Sequence, residues 1–208
     1  QSFGDLALER VRTGDGDISV TLGDGNLTLG DIHADGDVTL TAAQGRLDND
    51  ADDATLVSGD TVTLSSANGL GTESNNLVTR ATRLDAQVSG AGDIHLTEQD
   101  GLAGLNARAA NGDIKVRTLQ GNLTVGEVEA LTPGKAVMLS SVAGAILDGN
   151  AEANNIVASL LELSAASGIA RASDPLDVDV STLAATGGSG GVYINNRGTG
   201  PLTVTGLT

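Results

Sequence analysis

The sequence reads as an all-β chain wound into a parallel solenoid. Three features carry that reading: a short Gly-Asp phrase that keeps returning, strict alternation of aliphatic and polar residues after each copy, and a near absence of aromatic side chains. The chain of 208 residues has 29 Gly, one Phe, one Tyr, no Trp and no Cys, yet is 39% hydrophobic. A broad globular core draws much of its buried area from aromatics. Here Val, Ile, Leu and Ala must supply it, and these fill a narrow, regular interior. They are also abundant enough to offset the entropy of ordering, so the chain is no disordered polymer.

The phrase appears as Gly16-Asp17-Ile18-Ser19-Val20, Gly36-Asp37-Val38-Thr39-Leu40 and Gly59-Asp60-Thr61-Val62-Thr63-Leu64. It returns as Gly92-Asp93-Ile94-His95-Leu96 and Gly112-Asp113-Ile114-Lys115-Val116. Successive copies stand 20, 23, 33 and 20 residues apart, and the long gap holds a degenerate strand, Arg83 to Val88. The underlying period is roughly 20 residues. In each copy Ile18, Val20 and Leu22, or their counterparts, point one way while Ser19 and Thr21 point the other, which is a strand with one buried face. Gly and Asp ahead of it supply a turn, Gly by its conformational freedom and Asp by bonding its neighbouring backbone. Shorter strands follow, such as Leu27-Thr28-Leu29 and Leu123-Thr124-Val125. The stretch from Ala151 to Leu163 lacks helix breakers but aligns with a strand region, and is read as strand.

A larger repeat is superposed. Gly16-Asp17-Ile18 realigns with Gly112-Asp113-Ile114, and Gly25-Asn26-Leu27 with Gly121-Asn122-Leu123, at a shift of 96. Beyond the insertion at Thr132-Pro133-Gly134 the shift becomes 99, matching Leu40 with Leu139, Gly69 with Gly168 and Leu84 with Leu183. This divides the chain into two modules of about five coils each, 1–111 and 112–208, stacked continuously. About ten coils spaced by one strand separation give a rod on the order of 50 Å long. Ile18, Val38, Val62, Ile94 and Ile114 are expected to pile in register inside it.

The repeats GDISVTLGDGNLTLGDIHADGDVTL and GDIKVRTLQGNLTVGEVEAL resemble those of filamentous haemagglutinin-type exoproteins, the secreted partners of two-partner secretion systems. The resemblance covers nearly the whole chain. It implies a right-handed parallel β-helix, bacterial secretion to the cell surface, and a role in adhesion or in carrying a distal domain. The family's amino-terminal secretion domain is not recognisable here. The opening Gln1-Ser2-Phe3-Gly4 and the closing strand-like Leu202 to Thr205 read as cuts inside repeats.

Charge narrows the functions. The net charge is −16, with 18 acids and 5 bases in residues 1–100 (−13) and 9 acids and 6 bases in 101–208 (−3). Such a surface repels phosphate, which argues against nucleic-acid binding, and no basic amphipathic stretch or apolar run suits a membrane. Without Cys, disulfides, thiolate catalysis and Cys-ligated metals are excluded.

Candidate chemistry is sparse. Asp48, Asp50 and Asp52, within the cluster Asp48-Asn49-Asp50-Ala51-Asp52-Asp53, have the alternate spacing of a calcium loop's first ligands. The loop lacks that motif's Gly and closing Glu, so a solvated acidic corner competes with calcium binding. Asp15, Asp17, Asp24 and Asp35 admit the same two readings. A polysaccharide-degrading site would need paired acids near a base, for which Asp85, Arg83, Asp177 and Asp179 are the candidates; the scarcity of aromatics to stack sugars speaks against it. His33 and His95 lack ligand companions, and alternation turns His95 to solvent. The Thr pairs Thr39/Thr41, Thr61/Thr63 and Thr203/Thr205 do not continue through Lys115/Arg117, so they read as strand formers. The Asn pairs Asn75-Asn76, Asn154-Asn155 and Asn195-Asn196 read as turn or capping residues. Tyr193 points outward. The expectation is a structural shaft or fibre segment of a secreted bacterial surface adhesin, with no enzymatic activity and no cofactor. Its partners would be neighbouring repeats or end-to-end copies of itself. The alternative is a module binding calcium, a glycan or a host receptor.

Overall fold

The computed structural model describes residues 4–52 and 55–208. Gln1, Ser2 and Phe3 of the expected opening cut, and Asp53 of the acidic cluster, lie outside the described residues. The described residues are a parallel β-solenoid of about nine turns. The only helical element among them is a 3-10 turn, Gly188–Gly190. Of the stretch Ala151 to Leu163 read as strand, the part from Ile156 onward is one, Ile156–Ala165, whereas residues 151–155 form a turn that Ala151 enters at φ 60°.

Each turn contributes to three columns of stacked strands. One column runs unbroken through all nine turns: Leu6, Leu27, Leu47, Leu70, Ile94, Ile114, Val137, Leu161, Leu183 and Val204 pair each with the next. A second holds Ile18, Val38, Val62, Leu84 and Leu105. A third runs from Val11 through Ile32 and Val57 to Thr79 and Glu98, and from the fifth turn onward Leu102, Leu123, Ile146, Ile169 and Val192 stack as a further row. Inward positions are closed to solvent: Leu27, Leu47, Leu70, Ile94, Ile114, Val38, Val62 and Leu84 are all at 0% exposure. Burying each such side chain favours folding by about 2 kcal/mol, and each turn needs its neighbours to do so.

The Gly-Asp phrase works differently from the expected local turn. The Asp side chain bonds the next coil. Asp17 Oδ1 accepts from the Asp37 N–H at 2.9 Å, and Asp37 Oδ1 from the Thr61 N–H at 3.0 Å. Asp93 does the same for Asp113 at 2.8 Å, and Asp113 for Ala136 at 2.9 Å. At another corner Asn26 and Asn122 clasp Arg46 and Ala145. The Gly is required by closeness: a Cβ on Gly36 would lie 2.3 Å from Asp17 Oδ1, and one on Gly112 only 1.8 Å from the Gly92 carbonyl oxygen. Asp37→Ala is expected to cost about 1 kcal/mol and Asp37→Asn, which keeps the accepting oxygen, close to nothing; paired urea melts check this, and equal losses for both would remove the clasp.

The expected single pile of Ile18, Val38, Val62, Ile94 and Ile114 is corrected. Ile18, Val38 and Val62 do stack, and so do Ile94 and Ile114, but in different columns. Val62 is followed by Leu84, and Ile94 sits on Leu70. Climbing four turns from Ile18 reaches Leu105, and Ile114 lies one face further on. The repeat at a shift of 96 therefore spans four turns and one face, in place of five coils, and equivalent residues look out in different directions.

Candidate functional site

The face outside the unbroken column carries the candidate site. Strand alternation sends His95, Lys115, Met138, Glu162 and Ala184 outward in one row, each in register with the next. Beside it runs a row of Thr97, Arg117, Ser140, Ser164 and Thr186. The two rows line a hollow of about 620 Å³ from Lys115 to Thr186. At its foot the chain leaves the solenoid after Leu70, and the detour is pinned by an antiparallel bridge between Thr72 and Asn75. This loop walls a second cleft of about 350 Å³, which shares Lys115 and Met138 with the first and adds Arg46, Glu73, Asp93, His95 and Asp113.

Arg46 holds the loop in place. Its guanidinium donates to the Gly71 and Asn68 carbonyls, each at 2.6 Å, and to Asp48 at 3.2 Å. Gly71 takes φ +61°, and a Cβ there would lie 2.7 Å from the His95 carbonyl oxygen. In the second module Ala170 adopts the same left-handed turn, at φ 54°, and Arg171 bridges Asp174 as Thr72 does Asn75. Lys115 Nζ reaches Glu73 across the cleft at 3.4 Å. Arg117 has no side-chain partner among the described residues.

The expectation that His95 is a solvent-exposed bystander is corrected. It points outward, yet only 8% of it is exposed, because it lies at the foot of the walled cleft. Its Nε2 is 3.8 Å from Asp93, and its Nδ1 is buried without a partner. His33 is half-buried; its Nδ1 pairs with Ser58 Oγ at 2.6 Å and its Nε2 lies 3.4 Å from Asp35.

Asp48, Asp50 and Asp52 follow one another into a turn with Ala51 at φ 65°. Asp48 faces Arg46, while Asp50 Oδ1 accepts from the Asp52 N–H at 3.0 Å and from the Thr55 hydroxyl. Among the described residues no three His, Asp or Glu side chains are gathered as a metal would need. Asp17 is a corner clasp. Asp85 lies four turns from Asp177 and Asp179 and bonds Asn106 at 2.7 Å. Asp177 is buried and gripped by Arg197 through both oxygens, at 2.8 and 2.7 Å, with Asn195 at 2.7 Å. This arrangement ties a neighbouring coil and brings Arg83 nowhere near. The Thr rows stack as Ser19, Thr39 and Thr63 before reaching Asp85. Asn155 is fully buried and caps Val125, Asp148 and Asn150. Tyr193, 40% exposed, occupies the place in the second module that His95 holds in the first.

Sequence reasoning missed the walled cleft, Arg117 as a free cation, and Glu98. The last had a signal: in Ile94-x-Leu96-x-Glu98 the Glu falls on the inward phase. It is 0% exposed, and it accepts from Thr79 Oγ1 at 2.7 Å and from the Ala81 and Asp100 N–H groups, each at 3.2 Å. Burial pushes its carboxyl above the ordinary range despite those donors.

The fold and surface together define a parallel β-solenoid repeat protein with an outward, partly cationic groove. No family model, no curated protein and no solved structure matches the chain.

Proposed function

We propose that this solenoid is a rigid shaft segment of a secreted bacterial surface protein of the filamentous haemagglutinin type. The observation that carries the reading is the single aliphatic column continuing through nine turns, because length in such a fold scales with the number of coils and nothing else. Nine turns extend about 43 Å at one strand spacing each. The outward acids, including the stacked corner carboxylates, keep such a rod soluble and discourage lateral sticking. The apolar side chains of the last coil, Val204 at 52% and Leu207 at 58% exposure, suit stacking by a further coil, whether from the same chain or another copy. Adhesion to a host receptor would then be work for the distal parts that a shaft carries.

The test is antibody labelling of intact bacterial cells that produce the protein. Labelling at the outer surface without permeabilisation is the expected result. Labelling only after permeabilisation would end the proposal.

A further inference from the structure

We infer that the groove on the second module's long face is a binding site for a linear carboxylated polysaccharide, a polyuronate lying along the solenoid axis. This goes beyond the shaft reading and does not rest on it.

The repeat is broken on this face. Lys115, Arg117 and Met138 stand at the positions that Ser19, Thr21 and Thr39 hold in the first module. The solenoid needs nothing from an outward position except solubility, and the first module meets that need with hydroxyls. Two cations placed side by side on one strand of a chain with net charge −16 are therefore a departure that stacking does not explain. Arg117 has no acidic partner among the described residues, and Lys115 has only the 3.4 Å contact with Glu73 on the wall loop. Unpaired guanidinium in a shallow hollow is the group best matched to a carboxylate, which it grips by two parallel N–H donors.

The shape selects a polymer. Outward residues repeat at one strand spacing up the face, and five turns give a track of about 19 Å. The loop at Gly71–Glu73 closes the lower end. Above the cations the track offers the hydroxyls of Ser140 and Ser164, the carboxylate of Glu162 to accept from sugar hydroxyls, and the small apolar surfaces of Met138 and Ala184. No aromatic lines it, so a neutral sugar has no stacking platform. Recognition falls to charge and hydrogen bonding, and the ligand must carry its own acid groups.

Binding is tested by calorimetric titration of the whole 208-residue chain with oligogalacturonate. About 150 mM salt is used, so that the screening length of roughly 8 Å hides the distant acidic corners. The wild-type chain is expected to bind. Lys115→Gln with Arg117→Gln should weaken binding by about tenfold or more. Arg83→Gln with Arg171→Gln removes the same charge from cations outside the groove and should leave affinity within about twofold. Circular dichroism confirms that each variant is folded. Absence of wild-type binding, equal losses in both double variants, or equal affinity for neutral dextran or polyglutamate would each overturn the assignment.

Discussion

Gly112→Ala is expected to destabilise the solenoid by about 3 kcal/mol, a large effect for one methyl group. The reason is stacking distance. The added Cβ would lie 1.8 Å from the Gly92 carbonyl oxygen and 2.5 Å from its carbon, which are backbone atoms of the adjacent coil and cannot rotate away. Relief requires the two coils to part, and parting them strains the ladder from Ile94–Glu98 to Ile114–Thr118 and the Asp93 clasp on Asp113. Gly23 supplies the control. Nothing lies within 4 Å of a Cβ there, so Gly23→Ala should be neutral or slightly stabilising by reducing the freedom of the unfolded chain. Urea midpoints of the two variants check this. A Gly112→Ala chain as stable as Gly23→Ala would show that coil spacing adapts freely, and the explanation of the corner glycines would fall.

The same corner shows what was legible in the sequence. Short strands, a period near 20 and one aliphatic face are local properties, and the coils follow from them. The column to which each strand belongs is not local. Gly-Asp and alternation mark any corner followed by any strand, so Gly36-Asp37 before Val38 and Gly92-Asp93 before Ile94 look alike although they stand at different corners. The shift between columns arises because Leu84 to Val88 occupies its column without a Gly-Asp phrase ahead of it, while the next phrase falls one corner later. Likewise the role of Asp in the phrase needs the third dimension. A turn and an intercoil clasp call for the same residue, and only stacking separates them. Asp48, Asp50 and Asp52 were conspicuous by spacing, yet the groove is built by residues 20 to 24 apart, such as His95, Lys115, Met138 and Glu162, whose proximity a linear reading has no means to register.

The two halves also divide their labour electrostatically. Stacked clasps put like-charged Asp side chains one strand spacing apart, which is tolerable only because each accepts a backbone N–H and faces water. A solenoid assembled from such corners is acidic by construction. That background is what gives Lys115 and Arg117 their contrast, and it sets the condition under which a polyanion approaches: screened beyond the groove and attracted within it.

Glu98 gives the second large effect, and its sign follows from burial. The folded chain holds the Glu98 proton more tightly than the unfolded chain, whose carboxyl has the ordinary value of 4.5, because the charged form is desolvated inside the aliphatic column. The stability linked to this group is therefore fully present below about pH 4.5 and is lost as the pH rises through the elevated value of the folded state. Glu98→Gln keeps the carbonyl oxygen for the Ala81 and Asp100 N–H groups and offers an amide N–H to the Thr79 hydroxyl, with no charge to bury. It is expected to match wild type in acid and to exceed it at neutral pH. Glu98→Ala leaves those donors unanswered in a closed interior and should cost about 2 kcal/mol in acid, where the wild-type carboxyl is neutral. Urea midpoints for the three chains from acid to neutral pH decide the matter. A wild-type chain that gains on Glu98→Gln as the pH rises would mean that the carboxylate is welcomed in the interior, by its three donors outweighing the desolvation that the fold imposes.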